Sequence, residues 1–228
     1  MATAEYAVSL EELVGPQAQL AATTVDAFAH PGESTRVLLT HNGQIVPGGQ
    51  FSSGENHAEY EMLRSDAWAR TLAAVGRAGT AAHRVAVVIN RTPCHFVFGS
   101  RPWMDEAPAT FFAGLEARIP AARVDRPWCG CSMKLASALK AFWTTYPDAR
   151  RNASLEFVLA CRGYYDGRRT TPLAYRKQQA PTTTFDLGCL VEAGWRVRAL
   201  SVGKTLSGRG QALADVLPRV EAWVAGGR

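Results

Sequence analysis

No stretch of this chain approaches the roughly 20 consecutive apolar residues of a membrane span, so no such span is expected. The N-terminus has no basic region followed by an apolar run, and no secretory signal is expected either. Cysteine is sparse and odd in number: five, at positions 94, 129, 131, 161 and 189. That pattern does not suggest a disulfide framework. It suits a reducing, cytoplasmic setting in which thiols are free to bind metal. Repeats and low-complexity segments are absent as well. What remains is an ordinary globular composition over 228 residues, 47% hydrophobic and 20% charged, enough to bury a core in one domain spanning 1–228. The net charge of +5 is compatible with a polyanionic partner without demanding one.

Hydrophobic periodicity predicts alternating strands and helices. Residues 6–28 read as helix, interrupted near Gly15-Pro16, and 36–40 as a short strand. His41-Asn42-Gly43-Gln44 reads as a hairpin turn, the return strand begins at Ile45-Val46, and 48–54 reads as a flexible glycine loop. A helix is expected from about Asn56 through Met62, Leu63, Trp68 and Leu72, with His57 and Glu59 in its first turn. Residues 84–90 form a continuous apolar strand of the kind buried at a sheet centre. Then come a helix over 132–146, a strand over 155–161, a helix over 185–193 closed by Gly194, a strand over 196–202 and an amphipathic helix over 212–225. The strand–helix–strand run from 155 to 202 implies two parallel neighbours. The expected architecture is α/β, a roughly five-stranded mixed sheet between helices.

The chemistry-bearing residues fall into one order: His57-Ala58-Glu59, then Thr92-Pro93-Cys94, then Cys129-Gly130-Cys131. One imidazole and two thiolates can hold a zinc ion and leave a fourth position for water, whose pKa the metal lowers toward neutrality. A glutamate two residues from the histidine would stand beside that water and move its proton without binding metal. The third ligand is Cys131 or Cys129. Cys131 is preferred because a helix begins there, and a helix N-terminus favours a thiolate.

This His-x-Glu, Pro-Cys, Cys order resembles the hydrolytic nucleobase deaminases. The segment from Cys131 to Gly167, with Cys131, Leu135, Ala136 and Leu139 on its helix and Ala160-Cys161-Arg162-Gly163-Tyr164-Tyr165 at its strand end, resembles the AID/APOBEC polynucleotide cytidine deaminases. Gly188, Leu190, Ala193 and Gly194 are similar to that family's later helix, and the likeness covers about 36–203. It implies a cytidine deaminase-like α/β/α sandwich, zinc on His57, Cys94 and Cys131, Glu59 as proton shuttle, and cytosine in single-stranded DNA or RNA as substrate. Deaminases of free nucleosides usually join the last two core strands by a hairpin, where this chain has a helix. Three departures stand out. The spacer between the two cysteine positions runs from 95 to 130, Asn90-Arg91-Thr92 replaces the family's Ser-Trp-Ser, and Gly163 replaces a leucine.

The candidate substrate contacts are Asn42, Asn56, Thr92, Tyr164, Tyr165, Arg168 and Arg169. The two tyrosines end a strand beside the expected pocket, and the arginines belong to a basic loop extending to Lys177. Asn42 and Asn56 have ordinary alternatives as a turn residue and a helix cap. The insertion at 95–128 carries Phe96, Phe98, Trp103, Phe111, Phe112 and Trp128; it offers a stacking surface for bases, a lid, or extra core. Two other functions fit the same residues: deamination of a free nucleoside or nucleobase, and a catalytically inactive, zinc-stabilised binding protein.

Overall fold

The computed structural model describes residues 5–15, 20–30, 34–91, 93–94, 130–163, 186–203 and 205–226. Within them the order is β1 (Ala7–Ser9), α1 (Leu10–Val14), α2 (Ala22–Ala29), β2 (Arg36–His41), β3 (Gln44–Ser52), α3 (Ala58–Leu63), α4 (Asp66–Gly76), β4 (His83–Ile89), α5 (Cys131–Thr145), a 3-10 turn (Pro147–Arg151), β5 (Leu155–Cys161), α6 (186–193), β6 (Arg196–Ser201) and α7 (Gly208–Gly226). The strands make one six-stranded sheet in the order β1-β6-β5-β4-β2-β3. The chain is thus a mixed α/β sandwich, with β4, β5, β6 and β1 parallel and β2 antiparallel to both its neighbours.

The apolar run of β4 sits at the sheet centre because both its faces are covered: Val85 through Ile89 are all buried. Alternate side chains serve two cores. Val37, Leu39, Val85, Val87, Ile89, Phe157, Leu159 and Val197 pack against α3, α4, α5, α6 and α7. Leu38, Ala86, Val88, Val158, Ala160 and Leu200 pack against the smaller layer of α1 and α2. The parallel pairing of β5 and β6, expected from the intervening helix, is present.

Three local expectations give way. Residues 7–9 are not helical but form β1, the sixth strand, which fills the free edge of β6. Helix α1 starts only where the Ser9 hydroxyl accepts from the Glu12 amide at 3.1 Å. The 48–54 loop is largely strand, because β3 continues to Ser52 past a register shift opposite Leu38 and Thr40. Gly49 is needed there, since a Cβ would lie 2.7 Å from the Leu39 carbonyl. The single helix expected from Asn56 to Leu72 is two. Ser65 divides it, its hydroxyl donating to the Met62 carbonyl at 2.7 Å and accepting from the Trp68 amide at 3.1 Å. Among the described residues no helix is long and apolar enough to cross a membrane.

Candidate metal centre

The centre is built where two helices begin beside the end of β4. His57 is the N-cap of α3 in extended conformation, and its imidazole makes no capping bond. It turns to sulfur instead: Nδ1 lies 3.4 Å from Cys94 Sγ and 3.3 Å from Cys131 Sγ. Cys94, just beyond β4, is held by the first turn of α5. The Cys131 amide donates to Cys94 Sγ at 3.1 Å, while the Ser132 amide and hydroxyl donate to the Cys94 carbonyl at 3.1 and 3.0 Å. The otherwise unpaired amides of a helix start are thereby used to place a sulfur.

The three ligand atoms lie within 4.8 Å of one another, and no other such group occurs among the described residues. One nitrogen and two sulfurs converging from two helix starts and a strand extension can hold a metal ion, and the donor types suit zinc. His57 is exposed, Cys94 half-buried and Cys131 buried, so the cluster opens to solvent on the imidazole side.

Electrostatics prepare the sulfurs. Hydrogen bonding from the Cys131 thiol, aided by His57 and the Cys131 amide, brings the Cys94 thiol down to about 4. The Cys131 thiol is pushed up by its hydrogen bond to Cys94 and by burial, so the two sulfurs titrate as a pair. The hydrogen bond to Cys94 also raises His57. Glu59, one residue into α3, is 2% exposed and stays outside the ligand group. Burial raises its carboxyl to about 7, and its Oε2 is buried without a hydrogen-bond partner among the described residues.

Of the candidate contacts, Asn56 is exposed beside His57, its side chain donating to Glu61 at 2.6 Å. Asn42 lies at the opposite end of the sheet. It adopts φ 51° in the β2–β3 turn, and its Oδ1 accepts from the Arg84 amide at 2.8 Å, so the structure gives it the turn role. Thr92, Cys129, Tyr164, Tyr165, Arg168, Arg169 and the 95–128 insertion lie outside the described residues.

One neighbour was missed. Lys134, 6% exposed, follows Cys131 by one helical turn, and its Nζ sits 4.5 Å from the centre of the Tyr60 ring. Its charge opposes protonation of His57 and favours the Cys131 thiolate. The (i, i+3) spacing from Cys131 was the available signal.

No protein-family model, curated protein or solved structure matches the chain.

Proposed function

We propose that the chain is a zinc-dependent hydrolytic deaminase that converts cytosine to uracil in single-stranded nucleic acid. The observation that carries this reading is the pairing of a His57–Cys94–Cys131 ligand group with a buried carboxyl, Glu59, that stands beside the group but outside it. His57, Cys94 and Cys131 would hold the metal, which when bound would supply an acidified water and a positive charge. Glu59 would do the proton work. A carboxyl that titrates at about 7 can both accept and release a proton near neutral pH. It can move the two protons of water in turn, one to the ring nitrogen as oxygen adds to C4 and the other to the amine as the C4–N bond breaks, so that water and cytosine become uracil and ammonia.

The polymer rather than the free nucleoside is favoured by the parallel joining of β5 and β6 across α6, in place of a hairpin. A base inside a duplex would have to be flipped out to reach such a site, hence the single strand. The test compares wild-type protein and Glu59→Ala on single-stranded DNA, RNA, duplex DNA and free cytidine, with zinc content measured alongside. The variant should keep its metal and lose turnover by about three orders of magnitude. Near-wild-type turnover would overturn the mechanism. Turnover of cytidine alone would move the substrate to free nucleosides. Metal without turnover on any substrate would leave a binding protein.

A further inference from the structure

The arginines of the sheet divide by end. At the amino ends of the parallel strands, Arg84 pairs with Glu156 at 3.0 Å and with Glu12 at 3.6 Å, and Arg196 also pairs with Glu156. At the carboxyl ends, Arg91 after β4, Arg162 after β5 and Arg209 at the start of α7 have no carboxylate partner among the described residues. Arg162 is the most constrained of them. Its amide donates to the Ile89 carbonyl at the end of β4 (3.0 Å), and its carbonyl accepts from Ser207 (2.9 Å), whose hydroxyl also caps Gly210 of α7. Gly163 lies so close to Arg209 that any side chain there would collide with it.

The Arg162 side chain leaves β5 on the face opposite Cys161 and reaches the end of α2, where Nη2 donates to the Ala29 carbonyl at 3.2 Å. Its other donors, Nε and Nη1, are buried and have no partner among the described residues. Burying unpaired guanidinium donors is unfavourable unless something supplies acceptors. The neighbouring buried amide shows the contrast: Asn90 is satisfied on both its groups, by the Arg36 amide and by the Ala27 and Ser34 carbonyls. In open α/β sheets, ligands bind at the carboxyl edge of the strands, and here that edge also carries Cys94 one strand away.

We infer that Arg162 binds a phosphate group of the nucleic-acid chain, holding it on the α2 side of the sheet while the base enters on the side of His57 and Glu59. The inference rests on the nucleic-acid reading above. Arg91 and Arg209 lie along the same edge and add positive charge. Phosphate accepts in several directions at once and suits a guanidinium with two donors, Nε and Nη1, left unpaired by the described residues.

The test is binding rather than turnover, so that it stands apart from the deaminase reading. Inorganic phosphate, cytidine 5′-monophosphate and a short single-stranded abasic oligomer are titrated into wild-type and Glu59→Ala protein by calorimetry, with cytidine as the phosphate-free control. All three phosphate probes should bind both proteins, and the oligomer most tightly. Arg162→Met should weaken oligomer binding at least tenfold and lower its salt slope by about one. Arg162→Lys, which keeps the charge and serves if the methionine variant does not fold, should weaken it several-fold. Arg84→Met, at the carboxylate-paired end, should leave binding unchanged. Unaltered binding in a folded Arg162 variant, or no binding of any phosphate probe by wild-type protein, would overturn the inference. Binding of inorganic phosphate and the monophosphate without the oligomer would refute the polymer assignment.

Discussion

Histidine is placed at both ends of β4, and its neighbours give it two different chemistries. At the amino end, His83 meets His41 across the strands, ring nitrogens 2.9 Å apart and ring centroids 5.0 Å apart. Burial, then the charge of the facing ring, lowers His41. At the carboxyl end, His57 meets two sulfurs, and the hydrogen bond to Cys94 raises it. An imidazole facing another imidazole shares a hydrogen bond and has no anion to concentrate a cation. An imidazole facing two thiols has two thirds of a soft-metal ligand set already in place. The arginines repeat the lesson: carboxylates occupy the amino end, while the carboxyl end has donors that no described residue pairs.

The largest effect expected separates the two ends by metal content. Cys131→Ser should drop zinc from about one per chain to near zero and abolish turnover, whereas His83→Asn should leave both intact. Elemental analysis of the purified variants decides it. Zinc retained in the Cys131 variant, or lost in the His83 variant, would break the comparison.

A smaller effect sharpens it through pH. Glu59 titrates at about 7 in the folded, metal-free chain, against its ordinary 4.5. A raised folded-state value means this group's stabilising contribution is full below about pH 4.5 and is lost as pH rises through 7. Relative to Glu59→Gln, metal-free wild-type protein should therefore lose up to about 3 kcal/mol between pH 4.5 and pH 8. Urea denaturation of both proteins across that range measures the difference. Parallel curves would mean that the carboxyl is not held neutral by burial.

The smallest effect is at the histidine pair. His41→Asn removes one half-buried hydrogen bond and should cost about 1 kcal/mol, with zinc content and turnover unchanged. Thermal unfolding and metal analysis of the same sample check both halves. A drop in zinc would tie the two ends together.

Much of this molecule was legible without coordinates. Strand β5, the parallel β5–β6 pair and the buried β4 follow from apolar runs and their spacing, because a two-sided sheet face tolerates little else. That His57, Cys94 and Cys131 form one group that could hold a metal ion was also readable, since metal binding admits few residue types. The division at Ser65 had a local signal in Ser65-Asp66, a helix start inside a helical pattern.

Tertiary structure alone decided the rest. Nothing local makes Ala7–Ser9 a strand; the open edge of β6, nearly the whole chain away, supplies its hydrogen bonds. Nor does sequence bring Cys94 to Cys131 across the spacer. The first turn of α5 does so, its amides donating to the sulfur and the carbonyl of Cys94. Spacing from Cys131 puts Lys134 near the centre, but its contact with Tyr60, like that of Arg162 with Ala29, is made only by packing. Composition and period set which segments can be strands, helices or ligands. Which groups end up facing one another depends on packing between residues distant in the chain, and here that packing turned one histidine toward sulfur and the other toward its own kind.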